Sequence, residues 1–185
     1  GKYLAFMDAD DFYPDCFSME YLYKMAETSG VDMCGGSRSI CHKDVIAHSG
    51  SRKELIFEED KRMPSKEFRA CSGYQQFIYN TDFIKRNGLY FPDYRRCQDP
   101  PFFVKALALA KEITVCKICS YCYRKEHKEV IFDEQKALDH IKGMRDTLRI
   151  TAQCDMREMY TSVLNDFFGE SSAIMYKYIT DGSQE

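Results

Sequence analysis

Tryptophan is absent from this chain and proline occurs only five times. No apolar run approaches the roughly 18 to 20 residues needed to cross a bilayer. The opening residues also lack the charged, apolar and small-residue blocks of a secretory leader. A membrane segment within the chain is therefore not expected. Neither sign of charge dominates, since 26 Lys and Arg stand against 29 Asp and Glu for a formal net charge of -3. The cations are scattered among acids, so no basic field exists to attract a polyanion, which argues against nucleic acid as a partner. An even cysteine framework is missing too: the nine cysteines are odd in number and irregularly spaced. That pattern fits buried thiols in a reducing compartment, and a cytoplasmic location follows. Cys116, Cys119 and Cys122 are spaced like a metal ladder but lack an evident fourth ligand, so they too read as buried thiols.

What is present is a chain with 44% hydrophobic residues, enough for one domain with a core of its own. No repeat or low-complexity tract interrupts it. The apolar run from Tyr3 to Met7 predicts a buried parallel strand at the very start, as if the chain opened in the middle of a fold. Tyr13-Pro14-Asp15 suits the first turn of a helix running to about Ala26, and Val31 to Cys34 reads as the next strand. Gly35 to Phe68 reads as a hairpin with a long loop. Ser72 to Arg86 predicts one helix or two short ones before the Asn87-Gly88 turn. A helix is expected from Pro100 or Pro101 to about Ala110, then a strand over Ile113 to Tyr123. Helical spacing over Asp133 to Ile150 and Met156 to Tyr178 completes an α/β domain with additional C-terminal helices.

Two acidic sites carry the chemistry. Asp8-Ala9-Asp10-Asp11 follows the first strand, where oxygen ligands at the carboxyl edge of a sheet can hold a hard divalent cation. Taken alone, the same acids also suit a turn or a helix cap. Asp99 opens the later helix in Gln98-Asp99-Pro100-Pro101-Phe102-Phe103, where capping is again the simplest role.

The whole stretch Gly1-Lys2-Tyr3-Leu4-Ala5-Phe6-Met7-Asp8-Ala9-Asp10-Asp11-Phe12-Tyr13-Pro14 resembles the segment of family 2 glycosyltransferases in which a strand delivers the DXD motif. The Asp99 segment is similar to that family's second hallmark, with Gln98 where a Glu usually stands. The resemblance extends from Gly1 to Arg124 and is less clear over Ser37 to Cys71. It implies a partial GT-A fold, a mixed sheet with flanking helices, over residues 1–130, with a helical extension over 131–185. It implies Asp8 near the nucleotide, Asp10 on Mg2+ or Mn2+, and Asp99 as the base of an inverting transfer from a UDP-sugar to a glycan hydroxyl, in capsule, exopolysaccharide or cell-surface polysaccharide synthesis. Asp11 assists or caps the helix. Arg124 would face the diphosphate, and His127 the metal or diphosphate. It further implies that strands and a uracil pocket precede Gly1, so that this chain alone binds donor poorly and the exposed sheet edge favours a homodimer. The alternative reading is a noncatalytic interaction module built on the same fold.

Overall fold

The computed structural model describes residues 1–43, 45–47, 52–125, 132–172 and 176. Its elements are β1 (Tyr3–Ala5), α1 (Ser18–Ser29), β2 (Met33–His42), β3 (Val45–Ala47), β4 (Lys61–Pro64), β5 (Phe77–Asn80), α2 (Thr81–Arg86), α3 (Asp99–Ala110), β6 (Glu112–Arg124), α4 (Glu134–Gln153) and α5 (Arg157–Asp166). The strands form one sheet in the order β1-β5-β2-β6-β4, with β3 attached to β2 as a hairpin arm. β2 and β6 are parallel, and the remaining pairings are antiparallel. The chain is thus α/β with a mixed sheet and flanking helices.

Successive strand residues point to opposite faces, and the sequence uses both. Met33, Phe77, Tyr79, Ile113 and Val115 face the larger core, which α3, α4 and α5 close with Phe103, Leu107, Met144, Met159 and Val163. Their neighbours Cys34, Ile78 and Cys116 face the other way, beneath Leu22 and Ala26 of α1. The side chain of Phe103 is fully buried, with its ring 5.4 Å from that of Phe77. Truncating such a ring to alanine costs about 3–5 kcal/mol. Met144, Met159 and Val163 belong to the same cluster as the sheet residues, so the C-terminal helices share one core with the rest.

The structure differs from the sequence expectations in several places: the strand read over Val31 to Cys34 runs instead from Met33 to His42, and the stretch read as a long loop holds β4, paired with β6. β1 is not a buried parallel strand over Tyr3 to Met7; it is a short edge strand antiparallel to β5, with Leu4 37% exposed. An unbroken apolar run carries no alternation from which orientation could be read, and Phe6 leaves the strand to pack among aromatic rings. α1 begins at Ser18 rather than Tyr13, because the Asp15 carboxylate accepts the N–H groups of Phe17 and Ser18 and the Ser18 hydroxyl. Ser72 to Arg86 is not wholly helical: β5 runs through Phe77-Ile78-Tyr79, and Asn80 then caps α2 by accepting from the N–H groups of Asp82 and Phe83. α5 ends at Asp166 and passes into a π-helical turn over Phe167–Ser171 that is broken at Gly169, while residues 173–175 and 177–178 of the expected helix lie outside the described residues.

Candidate active site at the acid turn

The turn after β1 is sewn onto β6. Asp11 donates its N–H to the Asp8 carbonyl at 3.1 Å, and Phe12 exchanges backbone hydrogen bonds of 3.3 and 2.9 Å with Cys122. Asp11 is 9% exposed, and its carboxylate accepts the Tyr121 hydroxyl at 2.5 Å and the Arg124 N–H at 2.8 Å. Burial pushes this carboxyl above the usual range while those two donors pull against it. The Tyr121 hydroxyl in turn accepts the Asp8 N–H at 3.2 Å. Burial and the neighbouring Asp11 hold the Tyr121 phenol well above its ordinary pKa, so it remains a donor. Asp11 is therefore an anchor of the turn to β6, whereas α1 is started by Asp15.

A bulge is what aims Tyr121 at the turn. The β2–β6 ladder pairs Gly36 with Cys116, shifts register around Ser37, and resumes with Arg38 opposite Tyr121. Such a shift re-phases which side chains point to each face. Gly36 permits it, because a Cβ there would stand 2.7 Å from the Ile118 carbonyl.

Asp8 receives two side-chain donors, Gln75 Nε2 at 2.9 Å and the Tyr74 hydroxyl at 3.3 Å. The Tyr74 ring sits 8% exposed in an aromatic cluster with Phe6, Phe91 and Phe102. Phe91 and Phe102 stack at 4.0 Å, and Phe6 meets Phe102 edge-on at 5.5 Å. Phe6 lies just before Asp8, and Phe102 lies one helical turn after Asp99. The cluster thus brings two carboxylates that are distant in sequence to one place.

Asp99 is the first residue of α3, and the helix start at Gln98 has no side-chain cap. The bland role of capping is therefore not the one Asp99 plays. Its carboxyl is pushed up to about 6, first by burial and then by the negative charge of Asp8, with the Arg96 guanidinium opposing. A carboxylate so tuned is fit to accept a proton near neutral pH.

Asp10 points outward and is exposed, and the Arg124 Nε donates to its backbone carbonyl at 3.1 Å. The Arg124 guanidinium lies over the Phe12 ring at 5.0 Å, beside the turn. Among the described residues, no group of three or more His, Cys, Asp or Glu is arranged to hold a metal ion. These residues do not fit a cage built from protein alone. They do fit a hard cation held by one or two carboxylates and completed by substrate phosphates and water, for which Asp10 is the accessible ligand. His127 lies outside the described residues.

Sequence reasoning missed Gln75 and Tyr121. Nothing in their spacing marks them, because they reach the acids through a turn and a bulge. A cavity of about 410 Å3 lies elsewhere, against the start of α1, between Phe17, Tyr21 and Ile118. It shares no lining residue with the acid turn or Asp99, so the carboxylates mark the chemistry better than the concavity does. Among the described residues, no helix is long and apolar enough to cross a membrane.

No family model and no curated protein sequence matches the chain. Among solved structures it is similar to residues 1–349 of S. aureus TarS in complex with UDP-GlcNAc, with a TM-score of 0.75 at 18% identity over 94% of this chain and 50% of that one. The same TarS portion in complex with UDP gives a TM-score of 0.72 at 18% identity, over 94% of this chain and 49% of that one. TarS in its longer form gives 0.69 at 18% identity, over 92% of this chain and 29% of that one. The chain spans about half the length of the TarS 1–349 chains, and the likeness is one of fold.

Proposed function

We propose that this chain carries the acceptor side of a metal-dependent, inverting glycosyltransferase of family 2 with the GT-A fold, using a UDP-sugar donor and a glycan hydroxyl acceptor. One observation carries the reading: the Asp8 turn and Asp99 converge on a single aromatic cluster, where burial and the Asp8 charge push Asp99 up to about 6. The fold shared with TarS, which was solved with UDP-GlcNAc and with UDP, supports a nucleotide-sugar donor.

In this mechanism the acceptor hydroxyl gives its proton to a carboxylate oxygen of Asp99. The freed oxygen attacks the anomeric carbon from the face opposite the diphosphate, forming the new C–O bond as the bond to UDP breaks. The electron pair of that bond leaves on the phosphate oxygen, and the sugar is inverted. Asp10 would hold a divalent cation, which when bound neutralises charge developing on the diphosphate. Arg124, beside Asp10, adds positive charge on the same side. Asp8, held by Gln75 and Tyr74, faces the nucleotide and raises the basicity of Asp99. Residues 1–130 form the transferase portion, and 131–185 a helical extension that packs into its core. The outer edge of β1 offers a short surface on which a second strand can pair.

UDP release from a panel of UDP-sugars with Mn2+ or Mg2+ tests this in the full-length protein, beside Asp10→Ala and Asp99→Asn. Activity lost in both variants is the expected result. Activity that survives both overturns the assignment and leaves the interaction module.

A further inference from the structure

The backbone leading into Asp99 is held in a conformation it would not adopt unaided. Cys97 sits at φ 61, a left-handed region that L side chains other than Asn and Asp seldom occupy. Such strain persists only where neighbouring structure enforces it. Here the enforcing structure is one face of α4.

Asp139, 3% exposed, accepts the Arg95 N–H on one oxygen at 3.1 Å. Its other oxygen takes Gln135 Nε2 at 2.8 Å and Lys142 Nζ at 3.2 Å. One turn on, Gly143 lies directly against Cys97: a Cβ there would stand 2.2 Å from the Cys97 carbonyl oxygen and 2.9 Å from its Cβ. Glycine inside a helix is unfavourable relative to alanine, so this close approach is its physical justification. A further turn on, Asp146 accepts the Tyr94 hydroxyl at 2.7 Å. Positions 139, 143 and 146 share one helical face and grip Arg95, Cys97 and Tyr94 in turn.

We infer that α4 is a brace for the base, and that Asp139 and Gly143 are positioning residues that set the Cys97 backbone and, through it, the Asp99 carboxylate. The inference rests on the proposed role of Asp99. Neither residue touches the acid turn, so donor binding is untouched by the brace and only the proton-accepting geometry depends on it.

The test uses the full-length protein and the UDP-sugar that its wild type turns over. Turnover is expressed per donor-binding site counted by calorimetry, and amide exchange is followed over residues 93–99. Asp139→Ala and Gly143→Ala are expected to lose about 10- to 100-fold in kcat with donor KM nearly unchanged, as small displacements of a reacting group do. Asp139→Asn, which keeps an acceptor for the Arg95 N–H, recovers most of that rate, and exchange over 93–99 rises in Asp139→Ala but not in Asp139→Asn. Met159→Ala, a cavity in the same core away from the loop, controls for mere destabilisation. If Asp139→Ala and Gly143→Ala lose no more per site than this control while Asp99→Asn is inactive, the brace is overturned and the base stands. If Asp99→Asn stays active, or the wild type releases UDP from no UDP-sugar, the base is overturned and the positioning role with it.

Discussion

The acid turn and the start of α3 each present an aspartate to the same space, yet the molecule treats them in opposite ways. Asp8 and Asp11 are surrounded by donors, namely Gln75, Tyr74, Tyr121 and the Arg124 N–H. Asp99 is half-buried, and only the Arg96 guanidinium favours its ionised form. Donors hold a carboxylate in place, and at Asp11 they oppose the burial that raises it, whereas at Asp99 burial and the Asp8 charge act against the Arg96 guanidinium alone. One residue type thus takes a tethered place in the turn and an untethered one at the helix start, and the difference lies in the neighbours.

The comparison breaks most sharply at Asp99. Asp99→Asn keeps the shape but cannot accept a proton, so turnover is expected to fall about 10²- to 10⁴-fold with donor KM little changed. Steady-state UDP release against donor concentration checks this. A main effect on KM would instead assign Asp99 to donor binding.

Asp10→Ala acts on the other region. Its expected loss is about 10²-fold, with a raised metal requirement that excess Mn2+ partly restores, since Asp10 is the exposed carboxylate proposed to hold the cation. A metal titration of the initial rate reads it. Equal loss at all metal concentrations would remove Asp10 from that role.

The pH dependence sharpens the contrast, because Asp99 is pushed up into the working range. With its carboxyl pushed up to about 6, turnover falls as pH drops below that value, by about tenfold per pH unit once Asp99 is mostly protonated. The same shift has a stability side. The folded state holds this proton more tightly than the unfolded chain, so the stability it brings is full below pH ~4 and is lost as pH rises through about 6. Asp99→Asn should accordingly be more stable than wild type at pH 8, by ~1 kcal/mol after allowing for its partial exposure, and equal to it near pH 4. Calorimetric Tm values at the two pH values decide.

The sequence made the two acidic motifs legible because each is local: an apolar strand ending in Asp8-Ala9-Asp10-Asp11, and Asp99 ahead of Pro100-Pro101. The α3 helix and β6 were legible for the same reason, with Pro at the helix start and branched residues along the strand. β5 was not, because Phe77-Ile78-Tyr79 is buried on both faces and shows no period. The partners of the acids were hidden more deeply. Tyr121 reaches Asp11 only because β6 bulges opposite Gly36, and no pattern of residue types announces a bulge. Gly143 likewise reads as an unremarked residue in a helical stretch until Cys97 is seen against it.

The smallest expected effect on catalysis tests how much the acid turn depends on that bulge. Tyr121→Phe keeps a fully buried ring but removes the one hydroxyl that donates to Asp11 and accepts from the Asp8 N–H. Asp11 is then left in the interior with the Arg124 N–H as its remaining donor, a loss of about 1–3 kcal/mol in stability. The turn should loosen relative to β6, so donor KM rises severalfold while kcat changes little, because Asp99 is held from the other side by Phe102 and α3. Thermal unfolding and steady-state kinetics read the two consequences separately. An unchanged KM beside a lowered Tm would mean that the Phe12–Cys122 backbone bridge alone fixes the turn; a fall in kcat would mean that the two carboxylates are coupled more tightly than the aromatic cluster between them implies.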